Sequence, residues 1–132
     1  MAAELGVPIT GVYAALQAFV VMGLLWPIQR LRTKYDVSLH AGEHPDLEVA
    51  IRRHANWTEH VPFALLLIGL LELNGGSAAL LHGLGVGLLV ARVAHPFGLK
   101  HDVMRVPLRV VGAVGTILVT LVAAVALLLG SL

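Results

Sequence analysis

The chain has 132 residues, of which 58% are hydrophobic and 13% charged, with a formal net charge of +1 and no cysteine. Soluble domains carry about 25% charged residues, and a domain this short has too little interior to hide so much apolar surface. A soluble single-core fold is therefore excluded, lipid must act as solvent for much of the chain, and any thiol chemistry needs a thiol brought by a ligand.

About 20 apolar residues cross a bilayer, and four windows of that kind follow one another. The first covers about residues 7–29, with Pro8 near its start. It is not a cleaved leader: it lacks a basic start, it is too long, and Arg30 stands where small residues would precede a cut. Residues 30–50, RLRTKYDVSLHAGEHPDLEVA, read as a long polar loop. The second window covers about residues 51–73 and has a polar front end. Asn74-Gly75-Gly76-Ser77 is a tight uncharged turn into the third window, about residues 78–97. Residues 98–105, GLKHDVMR, form a short basic link to the fourth, about residues 106–129, where Pro107 suits a first helical turn. Open sheets cannot live in lipid. The expected fold is thus all-α, one integral-membrane four-helix bundle over residues 1–132.

The basic residues set an orientation. Arg30, Arg32, Lys34, Arg52, Arg53, Arg92, Lys100, Arg105 and Arg109 all fall at or near the first and third connections. The positive-inside rule places loops 30–50 and 98–105 in the cytoplasm and both termini on the opposite side. Membrane lipids are expected partners and nucleic acid is not.

The chemistry gathers at that basic end. Arg52, Asn56 and Glu59 stand at i, i+4 and i+7, which stacks them on one side of a helix, with His60 one position round. Ionisable groups at membrane depth are costly and mark a site or a partner. Arg92 and His95 are three apart on the third helix, and Arg105 and Arg109 four apart at the start of the fourth. Arg30 and Arg32, ending the first helix, lie at the same level. Arg53, Lys34 and Lys100 are read as headgroup-seeking side chains. Glu59 serves either as a structural partner of Arg52 or Arg92, or as the holder of a ligand ammonium. Arginines, an amide and a carboxylate match a ligand with several carboxylates and one amine, an inventory that glutathione has.

No pair of the seven histidines has the i, i+4 helical spacing of a zinc site, so no metal is expected. His82, toward the other side, is read as a helix-contact residue. Gly83, Gly85, Gly87, Gly112 and Gly115 suit close helix contacts.

Arg52-x-x-x-Asn56-x-x-Glu59-x-x-Pro62 on a second membrane helix resembles the motif of the MAPEG family, membrane-associated proteins of eicosanoid and glutathione metabolism. The RLRTKYDV segment, the ELNGG turn and ARVAHPFGL ending the third helix extend the likeness over nearly the whole chain. The resemblance implies a homotrimer of four-helix subunits with glutathione as co-substrate between neighbouring subunits near the cytoplasmic face. It implies transferase or peroxidase chemistry on a hydrophobic small molecule or lipid. Carried over by motif, Arg52, Asn56 and Glu59 would bind glutathione together with Arg30 or Arg32. Arg92 resembles the family's arginine near the end of the third helix. Arg105, after a one-residue shift in the preceding link, resembles the arginine that stabilises the thiolate and is the candidate catalytic residue. Several members have tyrosine where this chain has His60, and some have tyrosines where it has His95 and Leu99. His60 and His95 are kept as glutathione-binding candidates because imidazole can still donate a hydrogen bond. The alternative is a non-catalytic lipid- or glutathione-binding module of the same fold.

Overall fold

A computed structural model describes residues 6–104 and 106–130. It consists of α1 (Pro8–Tyr35), α2 (Pro45–Leu73), α3 (Ala78–Gly98) and α4 (Pro107–Gly130). The all-α membrane bundle is as expected. α1, α3 and α4 are long and apolar enough to cross a membrane. α2 is equally long, but Asn56, Glu59, His60 and Glu72 dilute its apolar run.

The stretch 30–50 departs from its reading as a loop. α1 continues to Tyr35 and α2 begins at Pro45, so only residues 36–44 connect them. Hydropathy registers lipid contact and is blind to a helix that runs on into water, while Arg, Leu, Lys, Ala and Glu all favour helix there. α1 ends on Asp36 in the left-handed conformation, φ 54°. Arg32 Nη1 then donates to the carbonyls of Val37, Ser38 and His40 at 3.3, 3.1 and 3.0 Å. Tyr35 stacks on His44 with ring centroids 3.8 Å apart, and its hydroxyl donates to Asp46 Oδ2 at 2.7 Å. Pro45 fills the first turn of α2, with Asp46 and Glu48 behind it to complement the helix dipole.

At the other end, α1 starts without a side-chain cap of its own. Glu72 of α2 supplies one from a distance, accepting from the backbone N–H of Ile9 at 2.9 Å and of Thr10 at 2.8 Å. Ser77 caps α3, its hydroxyl accepting from Leu80 N.

The principal core joins Val61, Ala64, Ile68 and Leu71 of α2 to Leu81, Leu84 and Leu88 of α3 and to Val119 and Ala123 of α4. A smaller cluster of Ile28, Leu47 and Ala50 holds α1 against α2 at the basic end. Among the described residues no Cα of α1 comes within 8 Å of one of α4. Two part-buried polar links join α1 to its neighbours. Tyr13 and His82 are hydrogen-bonded at 3.0 Å, and Trp57 Nε1 donates to Gln17 Oε1 at 2.9 Å. His82 is thus a contact between α1 and α3.

Small residues set the closest approaches. A Cβ on Gly112 would lie 2.5 Å from His95 Cβ, and one on Gly85 would overlap the Tyr13 ring. Gly115 and Gly87 face Ala91 and Val119 more loosely, at 3.1 and 3.2 Å from an added Cβ. Gly83, expected to do the same, faces open space because it stands on the outer side of α3.

Candidate functional site

The basic ends of α2, α3 and α4 leave a cleft of about 280 Å³ between them, near the lower limit of the ~300–1,000 Å³ usual for small-molecule sites. From α2 come Glu48, Arg52 and Asn56, one helical turn apart along one face. From α3 and its connection come His95, Lys100 and His101, and from α4 comes Arg109. Three cations therefore face one carboxylate and one amide across a small volume.

Arg92 stands behind the cleft and does not line it. Its side chain is buried, 2% exposed. Nη1 donates to Asn56 Oδ1 at 2.8 Å and Nη2 to the Gly112 carbonyl at 2.8 Å. One guanidinium thus ties α3 to α2 and α4 together. The α4 end of this clamp is reachable because Gly112 lets the helices approach closely. The clamp also sets the amide's orientation. Asn56 Oδ1 is taken, so its Nδ2 donors are what it offers the cleft.

Arg52 Nη1 bonds Glu59 Oε1 at 3.3 Å, both side chains about half exposed. Glu59 balances Arg52 on the outer face of α2 and lies outside the lining. His60 is exposed, and its Nδ1 donates to the Asn56 carbonyl of its own helix at 2.8 Å. His101 sits between two carboxylates. Its Nδ1 donates to Asp102 Oδ1 at 2.6 Å, and its Nε2 lies 3.5 Å from Glu48 Oε2. The bond to Asp102, that carboxylate's charge and the nearby Glu48 hold the imidazole above its ordinary range.

Of the residues singled out in the sequence, the structure brings Arg52, Asn56 and His95 into the cleft. Arg92 is turned to a clamp, and Glu59 and His60 lie to the side. Arg32 is spent on the 36–44 connection. Arg30 lines a separate cleft on the outer face of α1 with Trp26, Pro27, Leu31 and Lys34. The extension of α1 as helix carries both arginines away from the site within one chain. Arg105 lies outside the described residues. The cleft adds Glu48, Lys100, His101 and Arg109 as lining residues. Only Arg109 had a sequence signal, its i+4 spacing from Arg105. Folding supplies the rest, because residues 99–101 lie across the start of α2, with Arg53 Nη2 donating to the Leu99 carbonyl and His101 beside Glu48.

Residues 10–129 match the profile of the MAPEG family. The chain belongs to the MAPEG family. Among curated proteins it is similar to the inner membrane protein YecN of Escherichia coli strain K12, with 34% identity over 97 residues, 74% of each chain. The same-named protein of Escherichia coli O6:H1, strain CFT073, matches with the same identity and coverage. No solved structure matches significantly. In this MAPEG chain the motif residues divide their work: Arg52 and Asn56 face the cleft, Glu59 backs Arg52, and Pro62 ends the polar half of α2. A MAPEG protein with three apolar helices and an inner-membrane relative is an integral membrane protein.

Proposed function

We propose that this protein binds glutathione in the cleft between α2, α3 and α4 and uses its thiolate on hydrophobic electrophiles or lipid hydroperoxides. The observation that carries the reading is the facing set of Arg52, Lys100 and Arg109 against Glu48 and Asn56. The cations suit the two carboxylates of the tripeptide, and Arg52 and Arg109 can each grip one bidentately. Glu48 suits the ammonium, and the Asn56 Nδ2 donors suit a peptide carbonyl. Membership of a family that contains glutathione transferases and peroxidases supports the same ligand.

The chemistry needs a thiolate. Bringing a thiol from about 8.5 to about 7 requires about 2 kcal/mol. A guanidinium about 4 Å away in a partly wet site supplies about 4 kcal/mol, so one arginine suffices. Arg105 is proposed for that role, with Arg109 four residues further along the chain. The proton leaves to water or to His95. In conjugation the sulfur bonds the electrophilic carbon and the leaving group departs with its electron pair. In peroxide reduction the thiolate sulfur attacks the distal oxygen, the O–O bond breaks, and the departing alkoxide takes a proton from water or from His95, giving an alcohol and glutathione sulfenic acid. A second glutathione converts the sulfenic acid to the disulfide and water.

Three copies assembled around the basic end complete the proposal, with that end cytoplasmic by the positive-inside rule. The half-exposed Arg52–Glu59 pair on α2 is what such packing would cover. A second reading, binding without turnover, is favoured by one observation. Neither Tyr13 nor Tyr35 lines the cleft, and His60 is turned to its own backbone. The test is a glutathione titration of purified protein in detergent, followed by heat and by the ultraviolet thiolate band, with S-methylglutathione as control. Binding with a thiolate band supports catalysis, and binding without one supports the inert module. No binding at millimolar glutathione refutes both.

A further inference from the structure

Residues 99–101 form a short strap along the cleft of the proposed function, and two side chains of α2 hold it. Arg53 Nη2 donates to the Leu99 carbonyl at 2.9 Å. Glu48 Oε2 lies 3.5 Å from His101 Nε2. Lys100, between these two fastenings, lines the cleft. Arg53 and Lys100, expected from the sequence to seek headgroups, are thus turned to the strap and the cleft.

The two fastenings differ in kind. A guanidinium on a backbone carbonyl keeps its charge at every working pH. An imidazole on a carboxylate does not. His101 sits between Glu48 and Asp102, and its Nδ1 donates to Asp102 Oδ1 at 2.6 Å. The bond to Asp102, then that carboxylate's charge, then Glu48 keep the ring protonated above the ordinary imidazole value of about 6.5. The other charged or titratable groups around the cleft are Arg52 of α2, His95 of α3 and Arg109 of α4. His40, from the 36–44 connection, borders Glu48 on its other side. Among the described residues only His101 forms an ion pair with Glu48.

Glu48 therefore has two claimants. It is the carboxylate that suits the ligand's ammonium in the proposed function, on which this reading rests, and it is the carboxylate beside His101. A second cation on it would stand about 4–6 Å from the imidazolium, where like charges oppose each other. We propose that His101 is a built-in competitor for the ligand's amine, so that its imidazolium and the ammonium of glutathione occupy Glu48 in alternation. Loss of the ring proton frees Glu48 for the ligand, while Arg53 keeps the strap hinged at Leu99 and Lys100 in place. Binding is thus weakest while His101 is charged and tightens as pH rises through its folded-state value. His95 acts with the opposite sign, because a proton there adds a cation for the ligand's carboxylates. By linkage, a bound ammonium lowers the affinity of His101 for its proton and expels it.

The test uses the full chain in detergent and S-methylglutathione, whose sulfur does not ionise, with calorimetry from about pH 6 to about pH 8. Affinity is expected to rise about three- to fivefold over that span, the scale of one half-exposed ion pair. His101→Gln should flatten the profile at the tighter value. Asp102→Asn removes the first support of the charged ring and should slide the rise to lower pH. Asp102 is exposed, so this variant keeps the test valid if His101→Gln misfolds. The same tripeptide with glutaryl in place of γ-glutamyl has no amine and should bind without the rise. A flat profile in the parent, a rise that survives His101→Gln, or an equal rise with the glutaryl analogue overturns the competition and leaves the proposed function standing. Absence of S-methylglutathione binding at every pH overturns both.

Discussion

Arg92→Lys separates a clamp from a ligand-binding arginine. The substitution keeps a buried charge, so the desolvation penalty is not returned. What is lost is the fork. A lysine ammonium is a compact point donor on a flexible stem and cannot reach Asn56 Oδ1 and the Gly112 carbonyl together as the two Nη atoms do at 2.8 Å each. Gly112 O keeps the hydroxyl of Thr116 at 2.8 Å, so the orphan is most simply Asn56. One hydrogen bond to a charged group contributes about 1.5–3 kcal/mol. The folded-to-unfolded ratio should therefore fall roughly ten- to a hundredfold. The assay is reversible unfolding by sodium dodecyl sulfate in mixed micelles, followed by helical circular dichroism, with glutathione affinity measured on the folded fraction. The reasoning predicts a lower unfolding midpoint and a loss of affinity of no more than about tenfold, the equivalent of the one Asn56 hydrogen bond whose donor is no longer held in place. An unchanged midpoint with a tenfold loss of affinity would refute it, because Arg92 would then be facing the ligand.

Other outcomes follow from the same geometry. Arg52→Ala and Arg109→Ala should each weaken glutathione binding about ten- to a hundredfold, the equivalent of one charge-assisted hydrogen bond, as read by calorimetry. Arg105→Ala should lower kcat with a nitroaromatic acceptor more than it raises KM, and equal effects on both would count against a thiolate role. His101 carries a raised pKa, so its bridge to Asp102 and Glu48 is complete below about pH 6.5 and is lost as pH rises through the folded-state value. Amide exchange in residues 99–106, corrected for intrinsic rates, should quicken over that rise, and His101→Gln should abolish the change. Gly112→Ala forces a methyl group against His95 and should destabilise by about 1–3 kcal/mol. Gly83→Ala meets nothing and should be neutral or slightly stabilising. Thermal aggregation in detergent ranks the two.

The parts of this protein that were legible in its sequence are those governed by period and by solvent. Four helices follow from apolar windows, and the spacing of Arg52, Asn56 and Glu59 fixes a shared face whatever the partners. The partners themselves are not written there. Asn56 turns to Arg92, and Arg92 turns to a backbone carbonyl that leaves no mark at position 112 beyond a missing side chain. Arg32 looks like a ligand arginine in one dimension. In three it closes a nine-residue connection, because Asp36 and His40 adopt left-handed φ and expose carbonyls that need a donor. Glu48 and His101 are 53 positions apart and each looks ordinary. Their meeting depends on how residues 99–101 cross the start of α2.

The origin of α1's cap constrains the order of assembly. The carboxylate that closes the first turn belongs to a residue 62 positions later than Thr10. A nascent chain that has threaded only α1 into the translocon holds its leading amides open to water or headgroups. They are satisfied only when the far end of α2 returns to the same leaflet. The first two helices are thus built to settle in the bilayer together as a hairpin, and the first turn of α1 is sealed by the chain's own second pass.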